Sequence, residues 1–121
     1  MNDNSTRMMA ALRRLPQFST SERMVLLAVA HFEEVGMAGI GNTALASLTN
    51  LHPVRSSNIR RRLVLGGFIT RERSKTQRRE PDTLTINWER FAEAIEQEER
   101  RSASEQRLAA EAALAKAAEA V

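Results

Sequence analysis

The sequence predicts a mainly α-helical protein with one small β-hairpin (α+β) and a long helix at its C-terminus. Apolar residues recur at helical spacing through the first 65 residues, in segments that glycine, proline or asparagine interrupt. Further on, two short segments rich in β-branched residues flank a polar stretch, which is typical of a hairpin. Residues 89–121 contain neither glycine nor proline and are rich in alanine, glutamate and arginine, which favours one long helix.

Length and composition exclude several classes of protein. A chain of 121 residues is expected to form one domain with a modest core. It contains no cysteine, and its two histidines are far apart, so we expect no disulfide and no metal site. No run of residues resembles a signal peptide or a membrane-spanning helix, which predicts a cytoplasmic protein without a membrane partner. No paired nucleophile and base, P-loop or dinucleotide fingerprint is present, so we expect neither enzyme activity nor a cofactor.

The first two predicted helices have clear boundaries. Residues 1–17 form a short amphipathic helix that Pro16 ends, suited to packing or dimerisation. Ser19 and Glu22 form a capping box, which predicts that a second, largely buried helix begins there. This helix is expected to run to about Val35, before the glycine-rich sequence GMAGIG.

A third helix of about two turns is expected after this glycine-rich segment. Asn42 is its predicted N-cap, and Leu45 and Leu48 are expected to face the core. Asn50 is suited to the left-handed conformation that ends a helix, and Leu51 then turns into the core.

A fourth helix follows at once, over residues 53–65. Pro53 suits its first position, because proline lacks the N–H that would have no partner inside the helix. Its apolar stripe is thin and consists of Ile59 and Leu63, and the pair Gly66 and Gly67 ends it.

A β-hairpin is predicted after these glycines. Phe68 and Ile69 are expected to begin its first strand, and Leu84 and Ile86 to face inward from its second strand. The intervening residues, within 70–82, are polar and basic and are expected to form a long tip.

The last predicted helix is expected to pack only at its start. Trp88, Phe91 and Ile95 lie on one apolar stripe, but the stripe disappears between Glu96 and Arg107. Apolar positions of a sustained coiled coil are absent. We therefore expect residues 89–121 to pack on the domain or on a second subunit near their start and to be exposed later.

Positive charge is concentrated between His52 and Arg79. This stretch holds nine arginines and lysines and one acidic residue, Glu72, although the whole chain has a formal charge of only +3. Such a local excess in a compact chain indicates a polyanionic partner.

The stretch from Phe18 to Trp88 resembles the winged helix-turn-helix DNA-binding domains, in particular the MarR-type and the phage or plasmid replication-type members. The sequence NTALASLTN is similar to the first helix of the motif, PVRSSNIRRRLVLGG to the recognition helix, and FITRERSKTQRREPDTLTINW to the wing. The resemblance implies a winged helix-turn-helix fold over residues 18–88, between a terminal helix in 1–17 and another in 89–121. Members usually carry an apolar residue one turn before Ile59, where this chain has Arg55 and Ser56. Two orientations of the recognition helix, one residue apart, are therefore compatible with the sequence.

Helical geometry predicts which side chains of residues 53–65 face DNA. At about 100° per residue, the positions opposite the inward pair Ile59 and Leu63 include those able to read base edges in the major groove. The predicted base contacts are Ser57, Asn58, Arg61 and, more weakly, Val54. Basic residues on the shoulders of this helix and in the wing, within residues 70–82, are expected to contact the DNA backbone or a minor groove. They are Arg55, Arg60, Arg62, Arg71, Arg73, Lys75, Arg78 and Arg79.

Three hypotheses of function follow. The leading one is a nucleoid-associated homodimer that binds specific sequences of double-stranded DNA as a transcriptional regulator, for example a repressor. The second is the DNA-site-binding component of a plasmid or phage replication, partition or excision system, in which the C-terminal helix recruits a protein partner. The third is a helical protein that binds only other proteins and contacts DNA weakly.

Overall fold

The structure, a computed structural model, describes residues 3–73 and 82–120 as a mainly helical chain with one two-stranded antiparallel sheet. This confirms the predicted α+β composition. In chain order the described elements are α1 (Asn4–Arg13), α2 (Thr20–Glu34), α3 (Asn42–Thr49), α4 (Pro53–Leu65), β1 (Ile69–Glu72), β2 (Thr83–Ile86) and α5 (Trp88–Glu119).

Arg23 fixes the turn between α1 and α2. Its guanidinium donates hydrogen bonds to the backbone oxygens of Leu12 at 2.9 Å, Leu15 at 3.0 Å and Phe18 at 3.0 Å. These carbonyls lie at and after the end of α1, where partners within the helix run out, and the fork supplies all three with a charged donor. The Leu12 carbonyl also accepts the backbone N–H of Leu15 at 3.2 Å. The predicted capping box at Ser19 and Glu22 is present and begins α2 within the same turn.

Three of the described helices are followed by a residue in the left-handed backbone conformation. Gly36 after α2, Asn50 after α3 and Gly67 after α4 have φ values of 77°, 56° and 82°. In each case the next residue donates its backbone N–H to the carbonyl five positions earlier, as in a Schellman motif. Asn50 therefore ends α3 in the predicted manner.

The sheet packs on α2 and joins the core. Ile69 pairs with Ile86 in the antiparallel register, and the inward positions Ile69, Leu84 and Ile86 are buried as predicted. The backbone N–H of Leu84 donates to the carbonyl of Ala38 at 2.9 Å, and that of Ile86 donates to the Glu33 carboxylate at 3.0 Å. Both bonds tie β2 to the end of α2 and the loop after it.

Aromatic packing attaches α5 to the rest of the domain. The rings of Phe18, Phe68 and Phe91 form a cluster with centroid separations of 5.0, 4.9 and 6.1 Å. Trp88 packs beside Phe91, and the Arg7 guanidinium lies 4.1 Å from the Trp88 ring. The start of the predicted long helix is thus held by aromatic contacts.

The second half of α5 lies away from the core. From Ala103 to Ala120 every described residue is exposed. Just before this segment, Arg100 pairs with Glu96, and Arg101 pairs with both Glu98 and Glu105. The predicted change from a packed start to an exposed end is therefore present.

Three local predictions are wrong. Leu48 is 57% exposed because the inward face of the short α3 is formed by Leu45, Ala46 and Thr49, and Leu48 lies outside that arc. Gly41, not Asn42, is the N-cap of α3, and Phe68 precedes β1 because the left-handed turn at Gly67 is not yet complete there. The strand therefore begins at Ile69.

The described residues contain no helix that is both long enough and apolar enough to cross a membrane.

Replacing Arg23 with alanine is expected to lower the free energy of unfolding by about 3 kcal/mol, because three carbonyls at the turn lose a charged donor. Urea denaturation followed by circular dichroism measures the change. Arg13→Ala is the matched control, since Arg13 is exposed at the end of α1. Equal losses in the two variants would contradict the role of the Arg23 fork.

Candidate nucleic-acid interface

The turn between α3 and α4 fixes the start of α4. The Leu51 N–H donates to the Ala46 carbonyl at 2.9 Å, and the Nδ1 atom of His52 accepts a hydrogen bond from the Val54 N–H at 3.2 Å. Pro53 occupies the first helical position, and the Asn42 side chain donates to its carbonyl at 3.0 Å. These contacts hold the first turn of α4 against α3.

One side of α4 is buried and determines which side is exposed. Ser56, Ile59 and Leu63 are all buried, so the position one turn before Ile59 belongs to Ser56. A small hydroxyl side chain thus takes the place where the resemblance predicts an apolar residue. Of the two orientations compatible with the sequence, the structure has the one with Arg61 directed away from the core.

The predicted base-contact residues lie on the exposed side of α4. Asn58 and Arg61 are exposed, Val54 is 62% exposed, and Ser57 is half-buried. Leu65 lies on the same side and is 80% exposed, which is unusual for a leucine. The exposed side therefore combines a guanidinium, an amide and apolar groups.

Two depressions flank this exposed side. The first is an open groove of about 670 Å³ lined by His52, Val54, Arg55, Asn58 and Arg62. Within it, the Arg55 guanidinium donates to the Ser21 hydroxyl of α2 at 3.1 Å. Ser21 is a residue that the sequence did not indicate, because it lies 34 positions from Arg55 and no local pattern links the two.

The second depression is a cleft of about 190 Å³ between α4 and β1. Its lining residues are Ser57, Arg60, Arg61, Val64, Leu65 and Arg71. Asp82 forms an ion pair with Arg71 at the edge of the sheet, a contact that the sequence did not predict. Burial, together with the positive charge of Arg71, lowers the pKa of Arg60.

The structure brings together most of the predicted basic residues. Arg55 and Arg62 lie on one shoulder of α4, Arg60 lies on the other shoulder, and Arg71 extends the second shoulder. Arg73 is exposed just after β1. The predicted contacts Lys75, Arg78 and Arg79, and most of the predicted wing, lie outside the described residues.

The arginines of α4 differ from those of α5 in their pairing. In residues 3–73 and 82–120, no carboxylate lies within ion-pair distance of Arg60, Arg61 or Arg62. Arg100 and Arg101 of α5, in contrast, both pair with glutamates of the same helix. The exposed side of α4 therefore carries positive charge that the described part of the chain does not neutralise.

No group of three histidine, aspartate or glutamate side chains capable of holding a metal ion occurs among the described residues. No family model matches the sequence, and a search of curated proteins gives no significant match.

Replacing Ser56 with alanine is expected to stabilise the protein by about 1 kcal/mol more than replacing Ser57, because the buried Ser56 hydroxyl has no hydrogen-bond partner among the residues that the structure describes. Both substitutions change helix propensity equally, so the comparison isolates the buried hydroxyl. Thermal and urea unfolding measure it. A Ser56→Ala variant less stable than Ser57→Ala would show that this hydroxyl makes a favourable contact in solution.

Proposed function

We propose that the chain is a winged helix-turn-helix protein that binds double-stranded DNA, with α3 and α4 as the helix-turn-helix and α4 as its recognition helix. One observation carries the proposal: the exposed side of α4 holds arginines that no described carboxylate neutralises. The tight turn at Asn50 and the hairpin beginning at Ile69 support it, because they place a second helix and a sheet on either side of α4.

The dimensions of α4 suit the major groove. Its 13 residues extend about 20 Å, and a groove about 12 Å wide admits one α-helix. In this arrangement Arg61 forms two hydrogen bonds with guanine, and Asn58 forms two with adenine. Val54 contacts a thymine methyl group, and Ser57 donates to a base edge.

Basic residues on the shoulders contact the backbone in the same arrangement. Arg55 and Arg62 contact phosphates on one side of the groove, and Arg60 and Arg71 contact those on the other side. Arg73 continues this surface along the hairpin. Such contacts set affinity and orientation, whereas the central residues of α4 set sequence preference.

We further propose that two copies act together as a transcriptional regulator. An apolar groove of about 230 Å³ lies between α1 and α5, and Ala10, Trp88, Ala92 and Ile95 contribute to its lining. Pairing of two copies there would cover the groove and present two recognition helices to one site. Selection of bound sites from random DNA tests this proposal, since a two-fold dimer selects a palindrome with half-sites about one helical turn apart.

Replacing Arg61 with alanine is expected to weaken binding to the selected site by about 1 to 3 kcal/mol, because a bidentate guanine contact is lost. Fluorescence anisotropy at a fixed salt concentration measures the change. Arg107→Ala is the matched control, because Arg107 is exposed on α5 and, within the described residues, forms no ion pair.

The same titration separates DNA binding from the hypothesis of a protein that binds only other proteins. Affinity is expected to fall steeply with added salt, with a logarithmic slope of about 0.9 for each phosphate contacted. Binding that is insensitive to salt, together with an unchanged affinity in a folded Arg61→Ala variant, would refute the proposed function.

A second candidate function is that of a DNA-site-binding component of a replication, partition or excision system. The exposed second half of α5 favours it, because a helix that leaves the domain offers a surface for a protein partner.

Removing residues 100–121 distinguishes the two candidates. The contacts of Trp88 and Phe91 remain, so the shortened protein is expected to fold and to bind DNA. A transcriptional repressor retains repression of a reporter gene, whereas an assembly component binds its site but no longer supports replication or partition. Loss of DNA binding itself would contradict the proposed separation between the domain and the end of α5.

A further inference from the structure

The cleft between α4 and β1 brings three guanidinium groups together. Arg60 and Arg61 contribute from successive positions of α4, and Arg71 contributes from the first strand of the hairpin. The Ser57 side chain lines the same cleft one turn earlier on α4. Four side chains able to donate hydrogen bonds therefore surround one small space.

The charges around this cleft are unbalanced. Asp82 pairs with Arg71 and offsets one of the three positive charges, and no other carboxylate in residues 3–73 and 82–120 lies within ion-pair distance of them. Arg60 is partly buried, and this burial and the nearby charge of Arg71 lower its pKa, which the Asp82 carboxylate offsets only in part. Holding like charges together in a half-buried cleft is unfavourable unless an anion enters.

We propose that this cleft binds a single phosphate group of the DNA backbone, with Arg60 and Arg71 as its two principal ligands. The Ser57 hydroxyl donates a further hydrogen bond, and Arg61 adds its positive charge to the lining of the cleft. The inference rests on the proposed function, because DNA supplies the phosphate. Arg60 belongs to α4 and Arg71 to β1, so one phosphate bound by both links the position of the hairpin to that of α4.

A phosphate fits the chemistry of the cleft better than a base edge does. Guanidinium groups bind phosphate oxygens in pairs of parallel hydrogen bonds, and a phosphodiester brings the negative charge that the cleft lacks. A base edge offers only neutral acceptors and leaves the repulsion between Arg60 and Arg71 unchanged. Asp82 accepts a hydrogen bond from the Nε atom of Arg71, and in residues 3–73 and 82–120 no other acceptor bonds this guanidinium, so its remaining N–H groups can face the ligand.

The test combines protein variants with DNA in which single phosphates are replaced by neutral methylphosphonates. Replacement of the one phosphate that enters the cleft is expected to weaken binding of the unaltered protein about tenfold, because a charge-assisted hydrogen bond is lost. Arg60→Gln and Arg71→Gln are each expected to bind normal DNA about tenfold more weakly and to be insensitive to that same replacement. Arg107→Gln, the control, retains both the affinity and the sensitivity of the unaltered protein.

The outcomes separate this inference from the proposed function. Two results together would overturn the phosphate cleft and leave the proposed function standing. DNA binding would depend on Arg61, and every methylphosphonate replacement that weakens binding of the unaltered protein would also weaken binding of Arg60→Gln and Arg71→Gln. Arg60 is partly buried, so its replacement also changes the packing of α4. Arg71 is exposed, and Arg71→Gln therefore tests the cleft without that change.

A second arm identifies a free ligand. Melting temperatures are measured in sodium phosphate and in sodium chloride at equal ionic strength. We expect at most a small rise of the melting temperature in phosphate, because a free phosphate ion gains none of the other contacts that DNA makes with α4. A clear rise of the melting temperature in sodium phosphate that both Gln variants abolish, without any effect of methylphosphonate on DNA binding, would overturn the backbone assignment. The ligand of the cleft would then be a free phosphate compound.

Discussion

The burial of one narrow side of α4 is the constraint on which the candidate interface depends. Ser56, Ile59 and Leu63 are its buried residues, and the half-buried Val64 packs against the same core beside them. Since helical side chains follow one another at fixed angles, burying these three directs Arg61 outward and places the other arginines on the shoulders. The small size of Ser56 matters, because a larger side chain there would move α4 away from its neighbours.

Both ends of α4 are fixed by contacts outside its own hydrogen-bond ladder. At the start, Asn42 donates to the Pro53 carbonyl and Arg55 donates to Ser21, which ties the helix to α3 and α2. At the end, the left-handed Gly67 reverses the chain directly into β1. The Arg90 side chain covers this reversal by donating to the Gly66 carbonyl at 3.0 Å. A helix with few core contacts is thereby held in a defined position relative to the hairpin.

Local signals in the sequence were sufficient for most element boundaries and insufficient for contacts between elements. The capping box at Ser19 and the left-handed Asn50 were predictable because each depends on residues within one turn. Leu48 was mispredicted because periodicity in a helix of eight residues does not define the centre of its buried arc. The bond between Arg55 and Ser21 was not predictable, because it requires the packing of α2 against α4. Ile59 and Leu63 predicted the exposed face of the candidate site to within one residue of rotation, and the burial of Ser56 distinguishes the two orientations.

The electrostatics of α4 oppose its own stability and so favour a role for an external anion. The helix contains no acidic residue in its first turn, where negative charge would interact favourably with the helix dipole. Arginines occupy three successive positions further on, and of these only Arg62, in the last turn, is favourably placed for the dipole. In α5 the same chain places glutamates three or four residues from Arg101, and these hydrogen bonds and charges raise the pKa of that arginine. Local pairing is thus available to the sequence but is not used in α4. A surface of this kind gains most of its favourable interactions only when a polyanion lies against it, which is the physical basis for proposing that α4 binds DNA.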